Sequence, residues 1–178
     1  MKEHAEHRNA SEVDRPVAVY LRDHFAGATA GLALVRRCRR EHAGTPLDST
    51  LAGIEVQIDE DRRSLEDTMA RLGVRPSGLK SALGSLGETV GRLKGNGRII
   101  SPSPSSPVVE LEGLAAGILT KRNLWRSLRA AASTQSGLDT AELDTLIERA
   151  TSQLESVLAA HEEAARAAFA APGALANL

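Results

Sequence analysis

Aromatic side chains are scarce in this chain of 178 residues, because Phe, Trp and Tyr together make up only 2 per cent of it. Such a chain offers almost no surface on which unpaired bases can stack, and its formal net charge of −1 does not attract a polyanion. These two shortages exclude nucleic acid from the expected partners. They also require a core that is built mainly from aliphatic side chains.

Cysteine and long apolar runs are sparse as well. Cys38 is the only cysteine, so no disulfide can form within the chain, and this suits a reducing compartment. No apolar run approaches the roughly 20 residues of a membrane-spanning helix, and residues 1–13 lack the apolar centre of a signal peptide. We therefore expect a cytoplasmic protein without a membrane partner, in which residues 1–13 form a flexible N-terminal segment.

Apolar residues recur at helical spacing in four long stretches, and no stretch alternates as a strand would. The second stretch has a clear start, because Thr45 can cap a helix, Pro46 suits the first helical position and Asp48 completes a capping box. The third stretch opens at Ser106 and Pro107. The sequence predicts an all-α protein whose bundle spans residues 14–170 and is followed by a tail at 171–178.

Residues 73–107 differ from the rest in composition. They hold seven of the 15 glycines and four of the seven prolines, which is typical of a connection. Leucines and a valine over residues 79–93 are spaced four, three, four and three, so a short helix is expected inside this crossover. Two helix pairs joined by a long crossover would run up, down, down, up.

The first predicted helix carries a further signal. From Tyr20 it reads Tyr-Leu-Arg-Asp-His-Phe-Ala-Gly-Ala-Thr-Ala-Gly-Leu, and the second helix ends in a Leu-Gly-x-x-Pro pattern from Leu72 to Pro76. The chain thereby resembles the ferritin-like four-helix-bundle superfamily, as a divergent bacterial member. The resemblance implies a ferritin-like bundle with the up-down-down-up order given above.

The metal ligands of that superfamily are missing from the matching positions. The resemblance places Ala28 where metal-binding members have an inward glutamate, and it places Ile58 and Asp61 where they have a glutamate and a histidine. The fourth helix contains no Glu-x-x-His pair. We therefore expect no di-metal centre, no cofactor and no catalytic residue, and we expect a non-catalytic module that self-associates or binds a protein partner.

Three polar residues fall at mid-depth on inward faces of the predicted helices: Asp61, Lys121 and Gln153. The second and third helices run parallel in the proposed order, so Asp61 and Lys121 can meet and form a buried ion pair with Gln153 beside it. Burying a charge without a partner reduces the free energy of unfolding by roughly several kcal/mol, so the two charges either pair or avoid burial. In the alternative, one or both side chains extend to the edge of a groove between helices.

Two histidines, His24 and His161, also fall on inner or flanking positions. His24 lies near the start of the first helix and His161 near the end of the fourth, so the proposed order puts them at opposite ends, where they cannot share an ion. We interpret each as a partly buried histidine with a hydrogen-bond partner.

Two alternative functions stay open on the sequence alone. The first is a metal-binding ferritin-like protein, an iron store or an oxidase, with a non-standard site. Its ligands would come from Glu55, Asp59, Asp61, Glu110, Glu112 and His161. The second is a lipid-associated protein that uses the amphipathic segment 79–93, although its glycines weaken an isolated helix.

Overall fold

A computed structural model describes residues 16–76 and 105–170 of the chain. Within these residues the chain forms four α-helices and no strand: α1 (Pro16–Glu41), α2 (Pro46–Arg71), α3 (Ser106–Ala131) and α4 (Thr140–Phe169). The predicted all-α class is confirmed for this part of the chain. The N-terminal segment 1–13, the crossover helix at 79–93 and the tail 171–178 lie outside the described residues.

The helices α1 to α4 include none that is long and apolar enough to cross a membrane. The longest, α4, has 30 residues and carries charged side chains along its exposed face.

The ends of α2 and α4 follow directly from local sequence. The chain leaves α2 through Gly73 at φ 70, a left-handed conformation that glycine adopts without steric strain. The amide of Val74 donates to the Met69 carbonyl oxygen at 2.8 Å, and both side chains are buried, which is the hydrophobic contact expected at such a helix end. At the start of α4, Asp139 Oδ1 accepts hydrogen bonds from the amides of Ala141 at 2.8 Å and Glu142 at 3.2 Å.

The capping box predicted at the start of α2 is wrong. Thr45 precedes Pro46 as expected, but its side chain makes no capping hydrogen bond and its hydroxyl donates to the His42 carbonyl oxygen at 2.7 Å. Asp48 instead accepts from Arg39 Nε at 3.2 Å and from the amide of Gly44 at 3.4 Å. Backbone groups of the turn thus bind both side chains, and Arg39 near the end of α1 also binds Asp48.

Each helix makes its most extensive contacts with two others. Contacts join α1 to α2 and to α3, and they join α4 to α3 and to α2, with the most extensive contact between α3 and α4. Side chains from opposite ends meet across these pairs: Arg37 near the end of α1 binds Glu110 near the start of α3 at 3.2 Å, and Arg71 at the end of α2 binds Glu142 at the start of α4 at 2.7 Å.

The core consists of two apolar clusters at different heights along the bundle. The first contains Ala18, Leu21, Leu65, Met69, Val74, Leu124, Trp125, Leu128, Leu143, Leu146 and Ala150. The second contains Leu32, Val35, Cys38, Leu51, Ile54, Ile58, Leu111, Leu114, Ile118 and Val157. On α2, α3 and α4 the two clusters are separated by one inward polar residue, and these three residues form the candidate site.

Candidate functional site: a charged layer in the bundle core

The residues between the two apolar clusters occupy core positions of their helices. Asp61 lies between Ile58 and Leu65 on α2, and three or four residues on either side bring a helix back to the same face. Lys121 takes the same place on α3 and Gln153 on α4. Asp61 and Gln153 are each 1 per cent exposed, so both are removed from water.

Asp61 is the centre of a hydrogen-bonded network that reaches three helices. Its Oδ2 atom accepts from Lys121 Nζ and, at 3.0 Å, from Gln153 Nε2, while its Oδ1 atom accepts from Arg149 Nε at 2.7 Å. Lys121 Nζ also donates to the Gln153 side-chain oxygen. Both carboxylate oxygens are therefore bound. We call Asp61, Lys121, Arg149 and Gln153 the charged layer.

The charged layer contains more positive than negative charge. Lys121 and Arg149 both face the single carboxylate of Asp61, and Arg149 also reaches Glu60 at 3.4 Å on the exposed rim. Burial lowers the pKa of Lys121 and the charge of Arg149 lowers it further, although Asp61 opposes both effects. The layer is thus an unfavourable place for an added cation.

The structure brings together all three of the residues that the sequence places at mid-depth, and it adds Arg149. The side chain of Lys121 is 13 per cent exposed and that of Arg149 is 28 per cent exposed, so Arg149 is the cation that extends toward the groove edge. Arg149 was missed because its neighbour Ala150 takes the inward position. Its place one turn before Gln153 is a signal that could have identified it.

Helix α1 contributes small and apolar side chains at its middle. Ala28 is partly buried and packs against the first apolar cluster, and the hydroxyl of Thr29 donates to the Phe25 carbonyl oxygen at 3.0 Å within α1. At the position where the resemblance implies a glutamate, this chain therefore has an alanine that packs against apolar side chains.

The two histidines have separate partners. The ring of His24 packs edge-on against Tyr20, with centroids 4.4 Å apart, and burial lowers its pKa while Asp23 opposes the shift. His161 Nε2 lies 3.3 Å from Glu112 Oε1 on α3. His161 thus has a hydrogen-bond partner, whereas the contact described for His24 is with an aromatic ring, and the structure does not bring the two histidines together.

The carboxylates of the alternative metal site are bound by cations of the protein. Glu55 binds Arg36 at 2.9 Å and Arg39 at 2.7 Å, and hydrogen bonds from these two arginines lower its pKa. Asp59 binds Arg62 at 3.3 Å and also Arg63. Among residues 16–76 and 105–170, no three His, Cys, Asp or Glu side chains are grouped so that they could hold a metal ion.

Cys38 is buried in the second apolar cluster and is 1 per cent exposed. Burial raises the pKa of its thiol to about 12, with the negative charge of Glu110 as the next cause. A nucleophilic cysteine needs a lowered pKa and access to solvent, and Cys38 has neither. Its role in this fold is packing.

Comparison with known proteins adds no relative from which to transfer a function. No family model, curated protein sequence or solved structure matches the chain. Its function is therefore inferred from the side chains and surfaces described above.

Proposed function

We propose that this chain is a ferritin-like four-helix bundle in which the charged layer takes the place of a metal centre. We propose further that it acts without catalysis, as a module that associates with itself or with a protein partner. The observation that carries the proposal is the binding of both Asp61 carboxylate oxygens by Lys121, Arg149 and Gln153 at mid-depth.

The pattern of helix contacts supports the ferritin-like order. The four neighbouring pairs each join the end of one helix to the start of the other, as in Arg129 with Asp144 at 2.9 Å and Arg39 with Asp48 at 3.2 Å. Neighbours that all run in opposite directions leave α2 and α3 parallel across the bundle. That is the arrangement of an up-down-down-up bundle with a long crossover.

Electrostatics disfavour metal chemistry at the layer. Two like unit charges roughly 4 Å apart repel each other by about 4 kcal/mol at an effective dielectric constant of about 20. Asp61 is the only buried carboxylate in the described part of the chain. A divalent cation there would either displace Lys121 and Arg149 from Asp61 or lie next to these two positive charges. In either case the binding energy of the metal is reduced.

The outer surface is then the part of the bundle that is free to interact. Six large apolar side chains there are at least 40 per cent exposed: Val19, Val56, Val109, Leu119, Leu158 and Phe169. Aliphatic and aromatic side chains of this kind supply contact area when one protein docks on another.

Metal analysis combined with sedimentation velocity tests the proposal. Protein purified without chelators and titrated with Mn²⁺ or Fe²⁺ should hold far less than one ion per chain. Sedimentation over a wide concentration range should then show a multiple of the 18.9 kDa chain if the module self-associates, and the monomer if it needs another partner. One tightly bound ion per chain would contradict the proposal and favour the alternative, an iron store or oxidase.

A further inference from the structure

A groove between α1 and α2 combines an apolar floor with a cationic rim. It is open to solvent and has a volume of about 680 Å³, which lies within the range of about 300 to 1,000 Å³ that is usual for small-molecule sites. The side chains of Phe25, Leu32 and Ala33 form its floor. Its rim is formed by Arg36, Arg40 and Arg62.

Most charges around this groove neutralise each other. Four arginines are bound by four carboxylates in the pairs Arg36 with Glu55, Arg39 with Glu55 and Asp48, Arg62 with Asp59 and Glu66, and Arg63 with Asp59. Arg40 is exposed and has no hydrogen bond or ion pair with any residue in the described ranges. One guanidinium is thus available to a ligand, one helical turn from Arg36.

The far end of the groove differs from the end at Arg40. Arg62 lies over the ring of Phe25, with its guanidinium carbon 5.9 Å from the ring centroid, and it also binds Asp59. Asp59 also lines the groove, and it occupies Arg62 and Arg63, so this end offers a second negative charge no unpaired guanidinium among the described residues. The groove therefore accepts one anionic group at the Arg40 end and apolar groups along Phe25 and Leu32.

We propose that this groove binds a monoanionic amphiphile, an acyl chain of medium length that ends in a carboxylate. The carboxylate binds Arg40 and the chain lies on Phe25, Leu32 and Ala33. A ligand that is only a carboxylate leaves the apolar floor exposed to water, and a ligand with several negative charges finds one unpaired guanidinium, Arg40, among the described residues of the groove. This proposal does not depend on the one made for the charged layer, because the groove lies outside it.

Isothermal titration calorimetry tests this site with three probes at low salt: octanoate below its micelle concentration, acetate, and octyltrimethylammonium. Octanoate should bind saturably, and the other two should not. Arg40→Gln should weaken octanoate binding about tenfold, because the variant loses the charge-assisted hydrogen bond to the carboxylate. Arg126→Gln is the matched control, because Arg126 is an exposed arginine on α3 outside the groove and its loss should change nothing.

The apolar half of the site has its own variant. Ala33 is exposed, so Ala33→Asp should leave the fold intact by circular dichroism while it abolishes octanoate binding. Equal binding of octanoate and octyltrimethylammonium, unchanged binding by Arg40→Gln, or no saturable binding would overturn the proposal. A change in sedimenting mass in Arg40→Gln without a change in octanoate binding would show that the groove holds a second copy of the chain, and would overturn it as well.

Discussion

At the scale of single residues, burial decides what each polar or reactive group can do. Asp61 is almost completely buried, and the side chains of Lys121, Arg149 and Gln153 bind both of its carboxylate oxygens. Cys38 is equally buried but has no cation that outweighs its burial, so its thiol keeps its proton. Two residues that are equally buried therefore differ in their chemistry: the Asp61 carboxylate is bound by neighbouring side chains, and the Cys38 thiol is unreactive.

The reactivity of Cys38 should be very low in the folded protein. A pKa raised from 9.0 to about 12 reduces the thiolate fraction about a thousandfold at pH 8, and the closed core reduces access further. Labelling with iodoacetamide should therefore be at least about a thousandfold slower in native protein than in protein unfolded in urea, measured by mass spectrometry. Rapid native labelling would contradict the burial of Cys38.

Sequence reasoning worked best at residues whose position the helical period determines. Asp61, Lys121 and Gln153 are each three or four residues from buried apolar neighbours, so their inward direction could be predicted. Arg149 could not be predicted in the same way, since its long side chain reaches Asp61 from a position beside the inward face. Its place one turn before Gln153 indicates that it lies near the layer, but whether its side chain reaches Asp61 depends on the distance between helices, which one sequence does not contain.

At the scale of helices, local signals predicted where the elements begin and end better than how they are capped. The four stretches of helical spacing correspond to α1, α2, α3 and α4, and the expected starts at Pro46 and Ser106 are confirmed. The capping box at Thr45 is absent because the Thr45 hydroxyl binds the His42 carbonyl oxygen in the turn and the Arg39 side chain of α1 binds Asp48. Local sequence cannot show such competition from a neighbouring helix.

The starts of α2 and α4 therefore differ in their sensitivity to mutation. Asp139→Ala should lower the free energy of unfolding by about 1 kcal/mol, because it removes the acceptor for the amides of Ala141 and Glu142. Thr45→Ala is the matched control and should cost less, since the Thr45 hydroxyl donates to a carbonyl oxygen in the turn and caps no amide. Equal losses in urea denaturation would refute the difference between the two caps.

At the scale of the whole molecule, the charged layer divides the core into two apolar clusters. A displacement of α2, α3 or α4 by one turn would put Asp61, Lys121 or Gln153 into an apolar cluster without a partner. Buried ion pairs often contribute little net stability and more to the choice of one arrangement. We infer that the layer holds these three helices in register.

A double-mutant cycle between Asp61 and Lys121 tests the charged layer most directly, with urea denaturation as the measurement. Asp61→Leu leaves Lys121 and Arg149 facing each other and should cost about 3 to 5 kcal/mol. Lys121→Met should cost less, because Arg149 and Gln153 still bind Asp61. The account predicts that the double variant loses at least about 1 kcal/mol less than the sum of the single losses. Additive losses would show that the two side chains do not interact, and would contradict it.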